Sequence, residues 1–237
     1  PASELIIEDG KVTGAVVDTQ HGPCRVHARR GVVLAAGGIP HDPERKRRMF
    51  SHVAAGREHR SLAPLTNTGD SARMAEVAGG SVDYNVQQPA AFMPVSVIPY
   101  FEGPKSLWPH IVDRQKPGFI CVTRDGKRFF DESAPYHDFI PALVKACAAQ
   151  GQADTCCYMI ADYRTVRRYG MGFAKPAPVP FRHHVRSGYL IEGARLADVA
   201  RQAGIDGNEL AATVTRFNDH ARKGDDPDFG RGQNIYD

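Results

Sequence analysis

Gly31-Val-Val-Leu-Ala-Ala-Gly-Gly38 is the stretch on which the fold turns. Six residues run apolar without alternation, the pattern of a strand covered on both faces, and the run stops at paired glycines. A parallel strand that ends on two residues without a Cβ lets a ligand or another backbone come close, and a tight strand-to-loop turn reads equally well from these residues alone. Upstream, Glu4–Glu8 and Val12–Val17 flank Asp9-Gly10-Lys11, a hairpin signature, and a third short strand around Arg25–Ala28 completes a β-meander. Downstream, Asp42 is placed to cap a helix, with Pro43 and Glu44 in its first turn and Lys46, Arg47 and Arg48 toward its other end. That charge run reads as a solvated helix face rather than a basic binding patch. Thr68-Gly69-Asp70 opens a further helix over 71–78, stopped by Gly79-Gly80. Free N–H groups at such a helix start attract polar ligand oxygens, although plain capping is the more common use of such a start.

The composition changes near Gln88. Six prolines between Pro89 and Pro117 are interleaved with Phe92, Tyr100, Phe101 and Trp108, marking a loop-rich, aromatic stretch. A second hairpin is expected, with arms 119–123 and 128–130 around Asp125-Gly126, then a helix over 138–149 capped by Asp138. Two helices close the chain. Leu210, Val214, Phe217 and Ala221 form an apolar stripe on the second of them. The polar, Gly-rich tail 225–237 is expected to be weakly held.

The 237 residues suffice for one large domain or two modest ones. A net charge of +3, with dispersed basic residues, points away from a nucleic-acid binder. No apolar run reaches the length of a bilayer span, and the N-terminal residues lack the pattern of a signal peptide. Five cysteines without a CxxC pair suggest reduced thiols and a cytoplasmic protein. His183-His184, flanked by Arg182 and Arg186, lacks a third ligand at metal spacing and reads as a polar surface strand, so no metal site is expected.

Taken in order, the twin-glycine segment, Asn67-Thr-Gly-Asp70 with Met74-Ala75 and Ala78-Gly-Gly80, and Lys116-Pro-Gly118 with Gly126-Lys-Arg-Phe129 and Asp131-Glu132 resemble the FAD-dependent fumarate reductase/succinate dehydrogenase flavoprotein family. Within it, Asp131-Glu-Ser-Ala-Pro-Tyr136 is similar to the Asn-Glu-x-x-Pro-Tyr motif of the 3-ketosteroid dehydrogenase branch, and 210–218 and 225–232 resemble that branch as well. The resemblance covers nearly the whole chain. It implies an α+β (α/β) architecture: a partial Rossmann-like FAD-binding domain with a β-meander over 1–87, an α+β capping or substrate domain over 88–221, and a return toward the FAD domain over 222–237. Neither a G-x-G-x-x-G after an N-terminal strand nor a Gly-rich closing segment is found, so the chain is expected to be an interior piece. Such a piece should be inactive alone, retain no FAD, and self-associate through an exposed docking surface.

The resemblance also implies roles. Ala36, Gly37 and Gly38 match the Ala-Thr-Gly-Gly-type turn beside FAD, with Ala36 standing where many members have Thr. Thr68, Gly69 and Asp70 match a Thr-Gly-Asp-Gly helix start near the flavin, with Ser71 in place of the last Gly. Tyr136 falls at the tyrosine that acts as base in ketosteroid desaturation, a role that asks for positive charge nearby. Its alternative is a buried, hydrogen-bonded aromatic. Glu132 and Arg128 align with a proton-path stretch of fumarate reductases, yet they suit an ion pair supporting the hairpin equally well. Phe92, Tyr100, Phe101 and Trp108 would suit a flat apolar ketone, or packing beneath a long loop. The expected activity is desaturation of a 3-ketosteroid-like ketone, by proton abstraction and hydride transfer to flavin N5. The alternatives are reduction of an activated alkene acid such as fumarate, and a cofactor-free binding module.

Overall fold

The computed structural model of the chain describes residues 2–86 and 88–233. The boundary expected at 87 and the last four residues of the expected return segment lie outside them. Two compact units divide the chain, Pro1–Pro89 and Ala90–Asp237, and both mix helices with small sheets.

The first unit opens with the meander. Strands β1 (Ala2–Glu8), β2 (Lys11–Thr19) and β3 (Gly22–His27) pair antiparallel in the order β1-β2-β3. The tight Glu8–Lys11 pairing around Asp9-Gly10 is where the hairpin signature places it. Helix α1 (Pro43–Met49) begins as its residues dictate: the Asp42 carboxylate accepts from the Arg45 N–H, and Pro43 occupies the first turn. A short α2 (Ser51–Ala54) follows, and α3 (Asp70–Val77) buries Met74.

The expected strand over 31–36 does not form. These residues carry no ladder, and Val33 is 90% exposed. An apolar run becomes a strand only when neighbours satisfy its backbone groups, and none of the strands among the described residues pairs with it.

In the second unit, β4 (Val95–Val97) pairs with β5 (Leu107–Pro109), and β6 (Ile120–Val122) with β7 (Tyr158–Ile160), both antiparallel. The β6 strand is buried on both faces because its side chains alternate. Ile120 and Val122 join Ala200, Ile205 and Leu210 from helices α7 (Leu196–Ala203) and α8 (Gly207–Ala221). Cys121 joins Phe139, Leu143 and Cys147 of α4 (Tyr136–Ala149). Helices α5 (Tyr163–Tyr169) and α6 (Arg182–Arg186) complete this unit. The α8 stripe packs through Leu210, Val214 and Phe217, while Ala221 stays exposed.

Several expectations are corrected here. The second hairpin keeps its turn, with the Thr123 N–H donating to the Lys127 carbonyl, but among the described residues its arms share only the Val122–Arg128 bridge, and β6 pairs with β7 on its other edge. Helix α4 starts at Tyr136, two residues early and without a side-chain cap, since Pro135 supplies a fixed entry into the first turn. His183-His184 is helical, and His184 is buried with its Nδ1 3.0 Å from the Tyr100 hydroxyl. The tail is firmly held as far as it is described, by Asp226 and Arg231 within the second unit. The five cysteines are free.

Gly126 is one position where the fold tolerates no side chain. Its φ of +78° is left-handed, and an added Cβ would lie 2.6 Å from the Leu210 nitrogen and 2.8 Å from the Asp206 carbonyl. Those are backbone atoms at the start of α8 and cannot swing aside. Gly126→Ala is therefore expected to cost about 2–4 kcal/mol, from left-handed strain plus overpacking. Denaturant titration checks this, and a loss within error of zero would contradict the packing described.

Candidate functional site

The first unit brings the twin-glycine segment and the helix start together at one corner. The Gly69 N–H donates to the Gly38 carbonyl over 3.1 Å, and the Ala36 N–H donates to the Ser71 hydroxyl, also over 3.1 Å. The His41 N–H is bonded to the Asn67 carbonyl. An added Cβ on Gly37 would lie 2.5 Å from the Asn67 side-chain oxygen, so a bare backbone is what lets the two segments meet. Gly69 caps α3 in a left-handed conformation, φ +84°. There a Cβ would come within 2.9 Å of an Asp42 carboxylate oxygen. Ala36, Gly37, Gly38 and Thr68 are exposed and Gly69 is buried. The Thr68 hydroxyl donates to the Asp70 carboxylate, and Arg73 pairs with the same carboxylate.

Ser71, Asn67 and Arg45 hold this corner, a role that the motifs do not assign to any of them. Ser71 stands where the family motif has glycine, and its hydroxyl ties down the Ala36 turn. Arg45 lay in the stretch read as a solvated face. It is instead bound to Asp42, to both oxygens of Glu76 at 2.8 and 2.5 Å, and to the Tyr84 hydroxyl at 2.7 Å. Those bonds lock α1 to α3, and the Glu76 hydrogen bond, outweighing burial, raises the hold of the guanidinium on its proton. The only available signal was the spacing of charges on two separate helices, which a linear reading does not connect.

In the second unit, Arg128 and Glu132 lie in a buried ion network. Arg128 Nε and Nη2 donate to the two Glu132 oxygens at 2.9 and 2.7 Å, and Nη1 and Nη2 donate to the two Asp226 oxygens, both at 2.9 Å. Glu132 also accepts from the Cys121 N–H at 2.9 Å and from Arg231 at 3.4 Å, so its two oxygens take four donors. Burial alone pushes the Asp226 carboxyl up, but the Arg128 hydrogen bonds and charge outweigh it and hold it below its ordinary value. Arg231 further donates to the carbonyls of Phe119, Gln115 and Lys116. This geometry ties the turn, β6 and the tail into one body.

Tyr136 sits apart from that network. It is the first residue of α4, half-buried, with its ring edge-on to His137 at 5.8 Å, and its hydroxyl meets no hydrogen-bond partner among the described residues. The aromatics form a cluster of their own around Phe173. Phe173 lies 6.4 Å from Tyr100, 5.7 Å from Phe101 and 5.5 Å from Trp108, centroid to centroid, and edge-on to His184 at 5.9 Å. Lys175 stands 4.3 Å over the Trp108 ring. Tyr100 and Phe101 remain partly open to solvent, at 43% exposure each.

No group of three or more metal-ligating side chains occurs among the described residues, and no helix there is long and apolar enough to cross a membrane.

Comparison with known proteins places this geometry. The model of the FAD binding domain family matches residues 1–237. The 4-oxocyclohex-2-ene-1-carboxylate 5-dehydrogenase of Sinomonas cyclohexanicum is 41% identical over 229 residues, covering 97% of this chain and 38% of that protein. The 3-oxosteroid 1-dehydrogenase of Mycobacterium tuberculosis is 33% identical over 244 residues, 99% of this chain and 42% of its own length. Among solved structures, 3-ketosteroid delta1-dehydrogenase from Sterolibacterium denitrificans in complex with 1,4-androstadiene-3,17-dione matches with a TM-score of 0.77 at 27% identity, over 100% of this chain and 42% of that one. The chain thus spans about two fifths of the length of these relatives. With a family model matched from end to end, and with the bare-backbone corner formed by its two glycine motifs, this chain belongs to the FAD binding domain family of flavoproteins.

Proposed function

We propose that this chain is part of an FAD-dependent dehydrogenase that desaturates a carbon–carbon bond beside a ketone. The observation that carries the reading is the corner where the exposed residues 36–38 meet residues 67–71, with no Cβ at Gly37 or Gly69 to hold them apart. In this reading the first unit contributes the β-meander and a returning part of a Rossmann-like FAD domain, and the second is the capping domain. Ala36, Gly37 and Gly38 present backbone to the cofactor, while Thr68, Gly69 and Asp70 offer the start of an eight-residue helix. When bound, FAD supplies the acceptor for the departing hydride.

Tyr136 takes the proton from the carbon next to the ketone. Its place in the Asp131-Glu-Ser-Ala-Pro-Tyr136 segment, half-buried at the first position of α4, supports that role, which the phenolate form performs. The ring cluster of Tyr100, Phe101 and Trp108, with Phe92 nearby in sequence, offers flat apolar surface suited to a small cyclic ketone or a steroid ring. Relatives that act on a cyclohexenone carboxylate and on 3-oxosteroids support both substrate classes. Arg128 and Glu132 serve the fold rather than the reaction, since their donors and acceptors are consumed by each other, by Asp226 and by Arg231. The same consumption weighs against a fumarate-type reductase, where a dicarboxylate needs free guanidinium groups to clamp it.

The test joins this chain to the flanking segments that its relatives possess, loads FAD, and follows desaturation of a 3-ketosteroid and of a 4-oxocyclohexanecarboxylate with an artificial electron acceptor. Turnover of either is the expected result. A flavin-loaded protein inert toward both that reduces fumarate would overturn the reading.

A further inference from the structure

The second unit holds a chain of polar side chains that the flavin reading does not use. His110 Nδ1 lies 2.7 Å from Asp113 Oδ2, and its Nε2 lies 2.8 Å from the Ser96 hydroxyl. The Ser96 hydroxyl is 2.7 Å from the Tyr189 hydroxyl, which also accepts the Phe173 N–H at 2.8 Å. The Gly172 N–H donates to the same Asp113 oxygen at 3.1 Å. Four side chains, drawn from β4, the residues after β5 and the residues after α6, are thus joined end to end although they span 94 positions of sequence.

Donor and acceptor bookkeeping gives this chain a direction. A carboxylate accepts only, so Nδ1–H donates to Asp113. With the imidazole neutral, Nε2 then accepts the Ser96 O–H, Ser96 accepts the Tyr189 O–H, and every proton has one place. Burial pushes the Asp113 carboxyl up, but the hydrogen bonds from His110 and from the Gly172 N–H help to outweigh it and keep it below its ordinary value. Burial pushes the Tyr189 phenol up. The carboxylate end therefore stays charged and the phenol end stays protonated at rest.

The backbone is shaped around this arrangement. A Cβ on Gly172 would lie 2.3 Å from the Tyr189 hydroxyl and 3.0 Å from His110 Cε1. Ser96, His110, Gly172 and Tyr189 all line a cavity of about 890 Å³ whose other walls include Met171 and Leu190. One lone pair of the Tyr189 oxygen takes the Phe173 N–H, which leaves the other for a donor in the cavity.

We propose that Tyr189, Ser96, His110 and Asp113 form a proton relay that binds and deprotonates a hydroxyl on an unsaturated ring carbon, a phenol or the enol of a cyclic ketone. The ligand O–H bond breaks as its proton passes to the Tyr189 oxygen. The Tyr189 proton moves to Ser96, and the Ser96 proton to His110 Nε2. Each hydroxyl ends neutral, the ligand oxygen becomes an anion accepting from Tyr189, and the imidazolium is held by Asp113. No electron is transferred and no cofactor takes part, so the relay stands or falls apart from the flavin chemistry.

4-Nitrophenol, whose anion absorbs visible light and whose neutral form does not, serves as the probe, titrated into the full chain without FAD. Saturable binding with a raised anion fraction is expected for the unaltered chain. Tyr189→Phe should weaken binding about tenfold, the loss of one hydrogen bond facing the ligand. In His110→Gln and Asp113→Asn the bound probe should stay neutral, with circular dichroism confirming the fold. If His110→Gln does not fold, Asp113→Asn, which keeps the shape and removes the charge, decides alone. Cys24→Ser, on the exposed meander, should change nothing. Absence of saturable binding, a probe bound as the neutral phenol to the unaltered chain, or an equal anion fraction in the folded Asp113→Asn variant would each overturn the relay.

Discussion

Tyr136→Phe should lower kcat/KM for ketone desaturation by about 10²–10⁴-fold in the FAD-loaded protein, the usual contribution of a positioned general base. The loss should fall on kcat, because a base acts in the transition state and adds little to ground-state binding. Flavin content and thermal midpoint should be unchanged. Tyr136 stands half-buried at the first position of α4, and its hydroxyl ties to nothing among the described residues, so its removal leaves no partner stranded. A purely structural Tyr136 would behave in the opposite way, with a small effect on rate and a measurable fall in stability. Rates within about threefold of the unaltered protein would rule out its role as base.

Arg128→Ala should have the largest effect on stability, about 3–5 kcal/mol, because removing one partner of a buried ion pair leaves the other uncompensated. Here one guanidinium serves two carboxylates, Glu132 and Asp226, which are 0% and 6% exposed. The remaining cation in contact, Arg231, reaches Glu132 only at 3.4 Å and is largely spent on backbone carbonyls. Arg128 also lies 5.0 Å from the centroids of both Phe217 and Phe229, so packing is lost together with charge. Arg128→Lys should recover little, since a point charge cannot donate to both carboxylates in the way the planar fork does. Urea titration of the chain is the measurement, and a loss below about 1 kcal/mol would mean that the network is exposed to water in solution. The sign of the pH effect follows from Asp226, whose folded-state value lies below its unfolded one. Its contribution is present above the unfolded value and is lost as pH falls through the folded one, so acid should unfold the chain sooner than it unfolds an Asp226→Asn variant relative to that variant's own neutral stability.

These two residues also show how far a linear reading reaches. Tyr136 is singled out by a six-residue motif, and the Arg128–Glu132 ion pair is the alternative offered beside a stretch that resembles fumarate reductases. The third member of the network, Asp226, lies 98 positions from Arg128, in a tail whose polarity suggested that it was weakly held. Polarity alone does not distinguish a solvated carboxylate from one that completes a buried pair, since both are written with the same residue. His184 misled for a related reason. Its neighbours are charged, yet the Tyr100 hydroxyl and the Phe173 ring arrive from distant segments to cover it.

What the amino-acid order determined by itself was decided within a few residues. The hairpin at Asp9-Gly10, the Asp42 cap with Pro43 behind it, the Leu210–Val214–Phe217 stripe and the bare backbone at Gly37 and Gly69 follow from local sterics, hydrogen bonding and helical period. What only the tertiary structure decided was which groups lose contact with water. Residues 31–36 have the composition of a buried strand but remain unladdered without a neighbour, while Ser96, His110, Asp113 and Tyr189, unremarkable in the chain, become a connected line of hydrogen bonds. The physical reason is that the strength of a polar contact depends on the dielectric around it, and that environment is assembled from residues far apart in sequence.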